Sequence, residues 1–448
     1  MKALQTIRHW FADGVFRRIF RNAGLLLTGR ATNGILGLAT LSLSARGLGL
    51  EQFGVFVLLQ TYVNVIMALA TFQSWQAVIR YGAICIENKN TAAFQALLKF
   101  TTLLDIAGVI VGAAVGYFGA PLIGPYLGWD AQTIAYAQPF SLLILFTLLA
   151  TPTGLLRLYD RFDILAWQAV VTPLFRLIGV GLAVLFAAPF WVYLAAWFIA
   201  SVIGGAVLVY TGWREAARHS VLVGMTASLQ GITAPHGGIW RFSIFSNLHA
   251  SLQIVTGQMS TLLVGMIGGP AAAGLFKIGR DVATAISKPA ELLNQSIYPE
   301  FARLGSRDAW HDFKGLILRG VAVAGTGGLV VLAAAIFGGH YFIAVFFGPD
   351  FVDAYTPLIL LVATAGLTLC AFPMDPALYA MGRPSIPLRI DTVVILALYL
   401  PTLVLLTRHF GPTGAAIASL AAAAASLGGM SFFTVTQLRK RIALTPQP

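Results

Sequence analysis

A chain of 448 residues, 58% hydrophobic and only 10% charged, is no ordinary soluble protein, whose charged share is about 25%. Apolar segments of roughly 20 residues recur along it, long enough for helices that cross about 30 Å of hydrocarbon and too long for the alternating strands of a closed barrel. The formal charge of +12 lies mostly between those segments, which points to membrane topology and away from nucleic acid.

In chain order, residues 1–22 (MKALQTIRHWFADGVFRRIFRN) are basic and amphipathic without a cleavage pattern, and are expected to lie at the membrane surface. An all-α integral membrane protein of about twelve transmembrane helices follows. The expected spans are roughly 23–45, 53–72, 94–117, 133–155, 165–187, 191–211, 242–267, 271–293, 315–337, 355–377, 388–407 and 413–436. They group into an N-lobe (23–211), a cytoplasmic linker (212–240), a C-lobe (241–437) and a cytoplasmic tail (438–448). With the amino terminus inside, most of the 29 basic residues fall at inner ends, whereas the outer loops hold Arg46 and Arg408. That asymmetry places both termini in the cytoplasm. Cys85 and Cys370 stand in separate apolar surroundings, so neither a disulfide framework nor a cysteine metal site is expected.

The two halves restate one frame. GLGLEQFGVF, from Gly47 to Phe56, is answered by GGPAAAGLF, from Gly268 to Phe276, with Gly49, Gly54 and Phe56 matching Gly269, Gly274 and Phe276. The same offset of 220 residues aligns Asn33 with Gln253, Gly37 with Gly257, Thr40 with Ser260, Lys99 with Arg319, Asp130 with Asp350, and Leu158–Tyr159 with Leu378–Tyr379. An internal duplication of six spans per half follows. Because six is even, both halves enter the membrane in the same sense, and a pseudo-two-fold axis runs along the membrane normal. The two glycine-rich stretches read as tight hairpins joining spans 1 to 2 and 7 to 8.

Polar residues then mark which helix faces avoid lipid. In span 8, Lys277, Asp281, Thr284, Lys288, Glu291 and Gln295 follow at steps of three and four, with Arg280 alongside, so they share one face. A mid-bilayer charge costs roughly 2.5–3.5 kcal/mol on insertion scales, so that face turns to protein or water. Span 7 carries Ser246, Gln253, Gly257 and Ser260; span 1 carries Arg30, Asn33, Gly37, Thr40 and Ser44; span 2 carries Gln60, Asn64 and Thr71. One pair of spans from each lobe would line a central cleft. Structural readings stand beside the functional ones: Lys288 and Glu291 also fit a snorkelling pair, Lys277 and Asp281 a neutralised i,i+4 pair, and the small and polar residues of spans 1 and 7 close helix packing. Lys99 with Asp105 and Arg389 with Asp391 read as structural or surface pairs. Arg30 and Arg280, about 10 and 14 Å inside their spans at 1.5 Å per residue, are harder to explain structurally. Guanidinium groups at that depth suit a diphosphate, which they grip through forked hydrogen bonds.

ARGLGLEQFGVFVLLQTY, WQAVIRYGA, LLRLYDRFDILAWQ and GGPAAAGLFKIGRDVATAISKPAELLNQSIYPEFARL resemble the polysaccharide-biosynthesis flippases of the multidrug/oligosaccharidyl-lipid/polysaccharide superfamily. The resemblance covers essentially the whole chain. It implies the superfamily's two six-helix lobes, a bacterial inner-membrane location, and alternating access through a cationic central cavity. It also implies a cargo, an oligosaccharide on a polyprenyl diphosphate moved from the cytoplasmic to the periplasmic leaflet. Membrane lipids and a polysaccharide polymerase are the partners it suggests, with no nucleic acid. Among positions of this chain, those that fit cationic substrate binding are Arg30, Arg280 and Lys277, with Arg80 and Arg241 near the inner mouth. Asn33, Gln60, Asn64, Gln253, Ser260, Thr284 and Lys288 would line the cavity, and Asp281 or Glu291 would serve ion coupling. The two extra spans of lipid II flippases are lacking, which argues against that branch.

Two rivals belong to other classes. An ion-coupled exporter of the multidrug type would want a carboxylate in the first lobe, for which Asp105 is the candidate. A membrane-embedded glycosyltransferase or polymerase would want a metal-binding acidic pair, for which Asp160 and Asp163 of DRFD are the candidates, although a charged loop between spans 4 and 5 explains them better. No GxxxxGK[ST] phosphate loop occurs, so no nucleotide cofactor is expected and the reading is of a transporter, not an enzyme.

Overall fold

The computed structural model describes residues 14–147, 149–225, 228–383 and 385–444. Most of the surface segment 1–22 lies outside the described residues, as do the side chains of Arg30, Gln253, Lys288 and Glu291. Among the described residues every regular element is helical: α1 (Gly14–Ala70), α2 (Ser74–Glu87), α3 (Thr91–Ile123), α4 (Ala131–Ser141), α5 (Ala150–Leu158), α6 (Phe162–Leu185), α7 (Phe190–Arg218), α8 (Ile239–Ser306), α9 (Trp310–Phe346), α10 (Tyr355–Ala371), α11 (Met374–Ala380), α12 (Ser385–Val393) and α13 (Leu400–Leu444). Short 3-10 turns intervene, and a π-helical turn, Val394–Tyr399, joins α12 to α13.

Nine helical stretches among the described residues are long and apolar enough to cross a membrane. Three of the long helices are kinked pairs. α1 breaks at Gly49 (φ 71°, ψ 173°), α8 at Gly269 (φ 82°, ψ 177°) and α13 at Gly411 beside Pro412, and counting each as two passes gives the twelve expected. Both hairpin glycines adopt backbone angles reserved almost wholly for glycine, since a Cβ would strain them. The duplication read from sequence therefore has a backbone signature 220 residues apart.

The chain forms two compact units: Met1–Gly47 with Leu59–Met259, and Leu48–Leu58 with Ser260–Pro448. The first is centred on Val78, Phe94, Leu97, Leu98, Phe100 and Leu155, with Ala216, Val221 and Ile239 completing its core. The segment after α7 is strapped to α3. Gln95 donates to the carbonyls of Val221 (2.7 Å) and Val223 (2.9 Å), Lys99 to that of Ser228 (2.9 Å), and the His236 ring nitrogen bonds the Ala93 carbonyl (2.9 Å). The second unit packs Phe301, Trp310, Phe313, Met374, Leu378 and Met430 together, and sets Phe53 edge-on to Phe351 at 5.4 Å. Within it, Gly54 and Gly274 meet backbone to backbone, and a Cβ at Gly54 would fall inside the Pro270 carbonyl. Large apolar side chains such as Phe118, Leu122, Leu329 and Phe337 are exposed on α3 and α9. On membrane-spanning helices such a surface faces lipid, and cohesion inside each unit comes from close packing and interhelical hydrogen bonds.

The structure reassigns two pairs. Asp105 accepts from Ser74 Oγ (2.6 Å), Thr151 N (2.9 Å) and Thr151 Oγ1 (2.7 Å), while Lys99 turns to Ser228. Six positions apart on one helix, Lys99 and Asp105 point in different directions, so the structural pair read from sequence does not form. Asp391 likewise bonds Ser426 Oγ at 3.0 Å instead of Arg389.

The DRFD segment forms the turn between α5 and α6. Arg161 holds both Asp163 (3.0 Å) and Glu215 (2.8 Å), and those carboxylates, Asp163 foremost, raise the guanidinium pKa above its ordinary value. Asp163 is therefore engaged by a cation of its own chain, which suits a charged loop better than a metal pair.

Candidate functional site

The second half of α8 begins at the Gly269 kink and buries Ala273, Phe276 and Ile278. Lys277, Arg280, Asp281 and Thr284 share one side of it, as the three-and-four spacing requires. Lys277 and Asp281 form a direct ion pair one turn apart.

Arg280 is placed differently. Its Nη1 donates to Thr261 Oγ1 at 3.0 Å, a neutral partner on the preceding arm of the same hairpin, while the Asp281 carboxylate is taken by Lys277. Next to it, Tyr399 Oη donates to Ser260 Oγ at 2.7 Å, bringing the π-helical turn onto the hairpin. Arg280, Ser260, Thr284, Thr364, Thr368, Tyr399 and Ser419 line a cavity of about 240 Å³, with Phe276 and Leu361 among its apolar walls. The result is one guanidinium ringed by hydroxyl groups, with no carboxylate in the lining among the described residues. Such a site offers an anion charge-assisted hydrogen bonds and offers neighbouring polar groups hydroxyl partners.

The structure brings together Arg280, Ser260 and Thr284 from the sequence candidates, with Lys277 and Asp281 one turn away. Arg80, Arg241, Asn33, Gln60 and Asn64 belong to the first unit. Arg80 and Arg241 are both exposed, and the Arg80 guanidinium lies 4.8 Å from the Phe242 ring centre. Asn33 is exposed on α1; Gln60 is buried, and its Nε2 has no partner among the described residues. Asn64, one turn after Gln60, lines a second cavity of about 480 Å³. Sequence reasoning missed Thr261, Thr364, Thr368, Tyr399 and Ser419. Thr364 and Thr368 stand one turn apart on α10, which was a readable signal; Tyr399 had none, because its place depends on the π-helical turn.

Residues 19–305 match the family described as polysaccharide biosynthesis protein. The chain belongs to that family. The Inner membrane protein YghQ of Escherichia coli (strain K12) is 35% identical over 349 residues, covering 78% of this chain and 98% of the relative. Among solved structures, the lipid II flippase MurJ in an inward closed conformation superposes with a TM-score of 0.65 at 14% identity, over 93% of this chain and 89% of that one. A multidrug resistance MATE family transporter of the MOP superfamily, inward-facing, superposes at 0.68 and 12% identity, over 94% and 96%. At those identities the likeness establishes the fold, which is that of the MOP superfamily. This polysaccharide biosynthesis protein is thus a multi-pass membrane protein, and its structural neighbours are a flippase and a transporter.

Proposed function

We propose that the protein is a flippase carrying polyprenyl-diphosphate-linked oligosaccharide from the cytoplasmic to the periplasmic leaflet of the bacterial inner membrane. Access alternates between the two sides, both termini are cytoplasmic, and the product feeds a surface-polysaccharide polymerase. The observation that carries this reading is Arg280, held by the hydroxyl of Thr261 instead of a carboxylate and open to a hydroxyl-lined cavity on a membrane-spanning helix. An ionised headgroup loses most of its hydration in hydrocarbon, a barrier that removes unaided flipping, and a half-buried guanidinium replaces part of that hydration. Arg280 grips the diphosphate, with Arg30 as its companion from the first half. Lys277 and Asp281 stay paired and set the local field, and Arg80 and Arg241 gather anionic headgroups at the inner mouth.

The test is complementation of a strain lacking the protein. Arg280→Ala, at normal abundance, is expected to lower surface polysaccharide roughly 10- to 100-fold, as loss of a charge-assisted bond of about 1.5–3 kcal/mol implies, and to leave complete repeat units on the inner leaflet. Arg280→Lys restores part of the loss. Full polysaccharide from Arg280→Ala would overturn the grip; accumulation of incomplete units in the deletion strain would point to a transferase instead.

A second reading, an ion-coupled exporter, is favoured by Asp105, a buried carboxylate that receives three neutral donors and no cation among the described residues. Drug resistance conferred by the wild type and lost in Asp105→Asn would support it over the flippase.

A further inference from the structure

The 480 Å³ cavity of the first unit differs in chemistry from the Arg280 cavity, and among the described residues no charged side chain lines it. It opens where two membrane helices are interrupted: α1 stops at Ala70 and α2 restarts at Ser74, and the 3-10 turn ending at Phe146 gives way to α5 at Ala150. Gln73 and Trp75 line it from the first break and Thr147 from the second, with Asn64 and Gln258 on the adjoining helices. From behind, Asp105 holds both restarts, through Ser74 of α2 and Thr151 of α5. The shape is therefore fixed before any ligand arrives.

Its polar groups are available in a particular way. The amides of Asn64 and Gln258 make no hydrogen bond among the described residues, so each offers a donor and an acceptor. Gln73 Oε1 accepts from Trp75 Nε1 at 2.6 Å, which fixes the indole and leaves the Gln73 amino group to donate. Thr147 spends its hydroxyl proton on the Ile144 carbonyl (2.7 Å) and retains acceptor lone pairs. The Arg157 guanidinium lies 4.1 Å from the Trp75 ring centre, which further holds that ring in place. Uncharged amides, hydroxyl acceptors and a fixed aromatic ring match a neutral ligand whose groups both donate and accept and whose C–H faces are apolar. That description is a sugar ring, and the volume falls within the roughly 300–1,000 Å³ of small-ligand sites.

We infer that this cavity is a saccharide-binding chamber, which recognises the sugar part of a lipid-linked substrate through Asn64, Gln73, Trp75 and Gln258. The inference rests on the flippase reading and assigns it a sugar subsite separate from the anion grip at Arg280.

The test compares two probes on the full-length protein in lipid nanodiscs. One is the polyprenyl-diphosphate saccharide pool extracted from cells lacking the protein, and the other is sugar-free undecaprenyl diphosphate. Wild type is expected to bind the saccharide pool more tightly. The double variant Asn64→Ala/Gln258→Ala should lose about tenfold or more on the saccharide pool and leave the sugar-free lipid unchanged, at roughly one hydrogen bond per amide. Gln258→Glu, nearly isosteric, guards against a folding artefact and should weaken the saccharide pool alone. Arg280→Ala should weaken both probes. Equal binding of the two probes by wild type, or unchanged saccharide binding by both chamber variants, would overturn the chamber while leaving the anion grip standing. Wild type that binds neither probe would overturn the flippase reading itself.

Discussion

Gln60 and Arg280 occupy the same place in the duplicated frame, as do Asn64 and Thr284, each 220 residues apart. In the first half the position holds a neutral amide and the described lining of the nearby cavity is uncharged; in the second it holds a guanidinium and the cavity is cationic. The hairpin turns that precede these residues, at Gly49 and Gly269, keep nearly the same backbone angles. Steric requirements of a turn tolerate few residue types, whereas cavity-facing positions are free to diverge once the turn is fixed. Duplication has therefore preserved the backbone device and separated the chemistry.

The sharpest probe of that comparison is the pair Gly54 and Gly274, matched in frame and unmatched in surroundings. A Cβ at Gly54 would overlap the Pro270 carbonyl, main-chain atoms that have nowhere to go. A Cβ at Gly274 would lie 3.1 Å from Phe53 Cδ1, a side-chain atom able to shift. Gly54→Ala is expected to cost about 3 kcal/mol or more, the upper end of overpacking, and Gly274→Ala about 1 kcal/mol. Thermal unfolding and protein abundance in detergent would show this as a lost or strongly lowered transition for the first and a small shift for the second. Equal losses would mean that the two hairpins are packed alike after all.

Gly49 and Gly269 make the opposite prediction. An added Cβ meets nothing within 4 Å at either place, so Ala substitution adds backbone strain alone. Each should lower stability by roughly 1–3 kcal/mol, and by nearly the same amount. A marked inequality in the two unfolding midpoints would break the claim that the turns are equivalent.

What the sequence made legible follows the same division. Spans and hairpins were readable because bilayer thickness sets helix length, and because Gly49 and Gly269 announce their turns. Arg280, Ser260 and Thr284 were readable because helical spacing puts polar residues on a lipid-avoiding face. The expected span 53–72 ends at the first helix break, whereas the expected span 133–155 runs straight through the second, near Thr147. Hydropathy stays high there, and the restart of α5, like that of α2, is held by Asp105, a carboxylate from a different helix. Helix α2 falls between expected spans because its 14 residues are too few to cross a bilayer. Tyr399 was invisible because a π-helical turn changes which face a residue presents, and no local residue type demands one.

The Tyr399 contact yields the smallest and most local prediction. Ser260 accepts from Tyr399, whereas its counterpart Thr40 donates to the Leu36 carbonyl of its own helix at 2.8 Å. The counterpart of Tyr399 is Gly179, which has no side chain to reach with. This tie between the π-helical turn and the α8 hairpin thus belongs to the second half only. Tyr399→Phe deletes one neutral hydrogen bond and keeps the ring, so the expected loss is about 0.5–1.5 kcal/mol. Ser260→Ala should cost a similar amount, and the double variant little more than either, because both remove the same bond. Additive losses would show that the two hydroxyls act through separate partners, and the second half would then differ from the first by Arg280 and its hydroxyl ring without this extra tie.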